Sequence, residues 1–180
     1  MIVHEAINAL LMAKKNRNVP RSREDLLAAA KHIVHDYSTL VLTGVAIAKG
    51  SISAPFNGPL EQSFHISCRK FAHFFENKRS KRGLRDMMAR QFVGRGVKFK
   101  FPTWTKWAQH MDKHLFHLSY DRFKNKRPWH GYAENPAFLR EFQIAWKLFL
   151  SELPQGLKER FSLELNDRAQ NPAFRDLDLR

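Results

Sequence analysis

The sequence predicts an all-α protein, a bundle of four to six helices. Three features predict it. Apolar residues recur every three to four positions through several long segments, the period of a helix with one buried face. Helix-starting and helix-stopping residues bracket those segments. No pair of segments alternates apolar and polar residues in the way a sheet requires. Fifteen phenylalanines and four tryptophans among 180 residues supply bulk for a core, and a chain of this length buries roughly 70% of its unfolded surface without disulfides. The single cysteine, Cys68, excludes an internal disulfide and a cysteine-based zinc site. One domain over 1–180 is expected, with its core over 22–153 and a C-terminal helical appendage at 154–180.

The first helix is expected over 23–49. Ser22, with an acid three residues later at Asp25, makes a capping box, and Gly50 is a stop. Its second half is apolar nearly all round, which predicts the central helix; the β-branched run 39–47 could form a strand, but no partner strand is in sight. Breakers Pro55, Gly58 and Pro59 mark a loop, and a second helix is expected over 60–77. Its apolar face is Leu60, Phe64, Cys68, Phe71, Ala72 and Phe75, with His65, Arg69, His73 and Glu76 on a flanking stripe. The stretch 78–102 reads as a basic connector holding a short helix at 83–92. A third strong helix follows, capped by Thr103 or Thr105 and running to about 122. A fourth begins with Asn135 as cap and Pro136 in its first turn, and ends at Pro154. A weaker fifth covers 155–169. "NPAF" occurs at 135–138 and again at 171–174, the same capping grammar used twice.

The net charge of +14 is unevenly spread: +2 over 1–68, +13 over 69–127 and −1 over 128–180. A concentrated basic region is the usual footprint for phosphate-bearing partners. A solvated basic surface is the plainer alternative. No secretory signal is read at the N-terminus, because the charges follow the apolar run, and the apolar stretch 40–48 is far shorter than the ~20 residues that span a bilayer. A soluble cytoplasmic protein without a membrane partner is the expectation.

The third helix places His110, His114, His117 and Asp121 within about 60° of arc, beside an apolar face of Trp104, Trp107, Ala108, Met111, Leu115 and Leu118. The first helix carries a comparable stripe of His32, Asp36, Thr39 and Thr43, in which a buried Asp36 would need a partner from a neighbouring helix. Three polar stripes beside three apolar ones predict a shared polar pocket. Three readings compete for it. The histidines and Asp121 could hold a metal ion, although ligands drawn from so few consecutive residues converge poorly and the surroundings are cationic. They could serve the fold alone. Or they could handle nucleic acid, RNA ahead of DNA. In that version His65, His73, His110 and Asp121 line the site, and Arg82, Arg122, Lys124 and Arg127 contact the backbone. Phe99, Trp129 or Tyr132 would stack on bases. No cofactor is called for. A homodimer or an acidic protein partner is the remaining alternative.

The segments "SFHISCRKFAHFF" and "MDKHLFHLSYDR" resemble a group of uncharacterised bacterial helical proteins and, more loosely, the HEPN superfamily of small helical bundles, many of them ribonucleases. The resemblance spans about 22–153. It implies a metal-independent ribonuclease in which Arg69 stabilises negative charge while His114 and His117 act as base and acid on the ribose 2′-hydroxyl and the leaving oxygen. HEPN nucleases separate Arg and His by four to six residues on one helix. Here Arg69 and His73 have three between them, and Arg122 and His130 seven. Either the pair is drawn from two helices, as Arg69 with His117, or catalysis is absent and a binding or regulatory module remains.

Overall fold

A computed structural model describes residues 22–50, 57–76, 87–111 and 135–179. Among them are six helices and no strand: α1 (Arg23–Ala48), α2 (Asn57–Phe75), α3 (Arg90–Val93), α4 (Pro102–Met111), α5 (Asn135–Ser151) and α6 (Gln155–Gln170). The fold is an all-α bundle. No helix among the described residues is long and apolar enough to cross a membrane.

α1 starts where its capping box predicts. Asp25 N–H donates to Ser22 Oγ and Ser22 N–H to the Asp25 carboxylate, both at 3.1 Å. It stops at Gly50, whose φ of +60° suits a residue without Cβ. The stretch 39–47, open to a strand reading, is helical. α1 packs on α2, α5 and α6, so it is the central helix, yet its buried residues run from Leu26 to Gly44 and do not concentrate in its second half. At Gly44 the neighbours come close: a Cβ there would lie 2.8 Å from the Phe64 ring and 3.1 Å from Leu139. Glycine lets α1 sit against α2 and α5 together.

The core is aromatic. Tyr37 stacks on Trp146 with ring centroids 4.1 Å apart. Phe149 and Phe161 meet edge to face at 5.4 Å, and Phe92 of α3 closes against both. Edge-to-face contacts satisfy the ring quadrupoles while filling the volume densely. The expected appendage is nothing of the kind. Leu157, Phe161 and Leu165 of α6, then Phe174 and Leu179, are buried in this same core. Trp146 Nε1 donates to the Leu179 carbonyl at 3.0 Å, fastening the last turns across α5. The second "NPAF" therefore does a different job from the first. Asn171 caps the exit of α6, its Oδ1 accepting from Ala173 N–H, and Phe174 plugs the core.

Candidate functional site

α2 buries a wider face than its apolar residues alone predict, and the added residues are polar. His65 is fully buried, with Glu61 and Asn135 buried beside it. His65 Nε2–H donates to Asn135 Oδ1 at 2.8 Å, and the Asn135 amide reaches Glu61 at 3.5 Å. The first residue of α5 is thus tied to α2 by its side chain. Burial disfavours the charged imidazole and lowers the pKa of His65 to about 4, against the opposing pull of the Asn135 hydrogen bond. This corrects the expectation that His65 lines a substrate site with Arg69 and His73. The signal was in the spacing: His65 stands three residues before Cys68 and seven before Ala72, on the buried arc.

Arg69 and His73 lie on the exposed side of α2. They line a cleft of about 850 Å³ whose described walls come from α1, α2, α4 and the residue Met87. α1 contributes His32, Ile33 and Asp36. α2 contributes Ile66, Arg69, Lys70 and His73, with Glu76 just beyond its end. α4 contributes Trp104 and Ala108. The volume falls in the range of small-ligand sites. Its floor is apolar and its rim is charged, with Arg69 and Lys70 set against Asp36 and Glu76 and two histidines beside them. Two helices therefore bring polar stripes to one pocket, and the third supplies an aromatic wall.

The stripe expected on α1 divides in two. His32 and Asp36 face the cleft, whereas Thr43 turns its hydroxyl back to the Thr39 carbonyl at 2.8 Å and Thr39 turns to His35 at 3.0 Å. A hydroxyl bonded to its own helix is satisfied and takes no part in a pocket. Asp36 is half-exposed, its side chain at 49%, and its partner from the neighbouring helix is a lysine, with Lys70 Nζ 3.8 Å away.

α4 is held in place by a residue that its own sequence does not contain. Neither Thr103 nor Thr105 caps it. The helix opens at Pro102, and the N–H groups of Thr103 and Trp104 donate to the two carboxylate oxygens of Glu141 on α5, at 2.7 and 3.1 Å. An anion at a helix N-terminus satisfies orphan donors and opposes the helix dipole. Here it also fixes Trp104, which packs edge to face on Phe138 at 5.5 Å. Glu141 went unnoticed in the sequence because a capping acid 38 residues away leaves no local mark.

His114, His117, Asp121, Arg82, Arg122, Lys124 and Arg127 lie outside the described residues, as do Trp129 and Tyr132, and His110 has a described backbone only. Phe99 does not stand free for stacking on a base, since its ring packs on Phe75 with centroids 4.6 Å apart. The described residues contain no group of three or more histidine, cysteine or acidic side chains able to hold a metal ion. Burial pushes the Cys68 thiol well above its ordinary pKa, so it is no nucleophile. Compared with known proteins, the chain matches no family model, no curated protein and no solved structure.

Proposed function

We propose that the protein binds single-stranded RNA, with the strand's phosphates on Arg69 and Lys70 at the rim of the α1–α2–α4 cleft and an unstacked base entering against its apolar floor. One observation carries the proposal: Arg69 and Lys70 stand at the mouth of a pocket whose lining includes the exposed apolar side chains of Ile66 and Met87. Guanidinium and ammonium groups beside an exposed aromatic or apolar surface are the two components that unpaired strands require. The charge distribution supports the same reading. Stretches 77–86 and 112–134 continue in sequence from the ends of α2 and α4, and together they carry ten of the 31 lysines and arginines.

The test is a salt titration of the full chain with a labelled single-stranded RNA, read by fluorescence anisotropy. Each phosphate neutralised contributes a slope of about −0.7 to log K against log salt. If four phosphates are neutralised, affinity falls roughly 50-fold between about 50 and 200 mM salt. The double variant Arg69→Ala, Lys70→Ala binds more weakly and with a shallower slope. Binding that ignores salt, or that the variant leaves intact, contradicts the proposal; the acidic-protein partner then becomes the better candidate.

A second reading adds cleavage. His32 and His73 line the same cleft as Arg69, so two imidazoles and a guanidinium attend one site. In the HEPN-like version His114 and His117 fill the acid and base roles. Either pair would deprotonate a 2′-hydroxyl, protonate the leaving 5′-oxygen, and need no metal. Incubating the bound RNA in EDTA separates the readings: products ending in a cyclic phosphate support metal-free cleavage, and intact RNA leaves a binding protein.

A further inference from the structure

We infer that the cleft selects guanine in the strand it binds, with Asp36 and Lys70 reading the base edge. This rests on the RNA reading above and asks what the cleft is built to prefer.

Carboxylates in the cleft wall are the feature that phosphate binding does not explain: Asp36 and Glu76 stand there with Arg69 and Lys70, and of the two acids Asp36 has a described cation beside it. Asp36 repels the same anions that Arg69 and Lys70 attract, so its presence weakens backbone binding unless it meets donors of its own. Among the described groups lining the cleft, Lys70 stands beside it, its Nζ 3.8 Å from Oδ2. The pair bridges α1 and α2, so its two heads present an acceptor and a donor side by side at the cleft wall. Both heads remain about half exposed, at 49% and 62%, and open to a ligand.

The four bases differ in what they offer such an array. Guanine presents N1–H and N2–H together on one edge, with the O6 acceptor next to them. A carboxylate accepts two such donors in a bidentate, charge-assisted arrangement. Lys70 donates to O6, where its charge stabilises the oxygen. Adenine, cytosine and uracil each offer a single donor position on that edge, so the second carboxylate oxygen would face an acceptor or nothing. Ile66, Met87 and Ala108 supply the apolar surface for the base itself. A well-formed bidentate contact of this type discriminates about tenfold or more against the wrong base.

The experiment uses four labelled oligonucleotides, each with four uridines on either side of a central G, A, C or U, bound to the full chain at about 50 mM salt, where phosphate contacts are strongest. The expected result is binding of the G oligonucleotide about tenfold tighter than the other three. Asp36→Asn, whose carboxamide offers one acceptor and one donor, brings the G-to-U ratio close to one. Lys70→Met lowers the same ratio. Thermal unfolding of each variant confirms that the fold is kept, as the exposure of both side chains predicts. Equal binding of all four oligonucleotides, or a preference for G that survives Asp36→Asn, overturns the inference and leaves RNA binding standing. No binding of any oligonucleotide, with binding of free GMP that Asp36→Asn abolishes, keeps the guanine pocket and removes the RNA reading. Failure of both ligands overturns both.

Discussion

The two sides of α1 are built differently. Towards α5 and α6 it meets a closed aromatic stack in which Tyr37, Trp146 and Phe161 fill the space and the tail at Leu179 seals it. Towards α2 and α4 it borders a cleft, with His32 and Asp36 on the rim. α2 repeats the contrast on a smaller scale. His65 is buried, neutral and bonded to Asn135, while His73, two turns on, stands exposed at the cleft. One residue type serves the fold in one place and is offered to a ligand in another. The difference lies in the helical arc, since eight residues rotate the side chain by about 80°. What a histidine does here follows from the arc it occupies more than from the company of other histidines.

That contrast breaks most visibly on the closed side. Phe161 is fully buried among Phe92, Trp146 and Phe149. Phe161→Ala is expected to cost about 3–5 kcal/mol, cavity included. For a chain of this size that lowers Tm by roughly 10 °C. Differential scanning calorimetry reads it, and RNA affinity of the folded fraction stays near its original value. A drop of only a degree or two would mean that the aromatic stack is loosely packed.

The next effect is a pH dependence. The unfolded chain protonates its histidine near pH 6.5, whereas His65 in the fold resists protonation until about pH 4. The unfolded state therefore binds the proton first, and stability contributed by the neutral imidazole is lost as pH falls from about 6.5 to 4. Up to about 3 kcal/mol is at stake across that window. Urea unfolding at steps through it measures the loss. His65→Gln, which can still donate to Asn135, removes this part of the slope; an unchanged slope would move the acid sensitivity elsewhere. At the small end of the scale, the Arg69→Ala, Lys70→Ala double variant that weakens RNA binding shifts stability by less than about 1 kcal/mol, as exposed cations do.

Much of the fold was legible because it is encoded locally. The capping box at Ser22 and Asp25, the αL stop at Gly50 and the apolar period of α2 each lie within a turn or two of what they determine. The features least legible in the sequence are long-range. Glu141 caps a helix 38 residues earlier, and Asn135, expected to cap its own helix, spends its side chain on His65, 70 residues away. The stripes on α1 and α2 do lie on helical arcs, but which arc faces a neighbour depends on helix–helix register. That is why Arg69 and His73 reached a common cleft with His32 and Asp36 while His65 turned into the core. Thr39 and Thr43 looked polar in sequence and are satisfied within α1. Lys70 is not legible in the sequence, because an exposed lysine beside an arginine carries no pattern of its own.

The central claim is that RNA is held on the open side of α1. Photo-crosslinking with an RNA containing 4-thiouridine, followed by mass-spectrometric mapping of the modified peptides, tests it without altering any residue. Crosslinks are predicted on peptides containing His32 to Asp36, Ile66 to His73 and Trp104 to Ala108. Crosslinks confined to the outer faces of α5 and α6, with none on those three peptides, would contradict it.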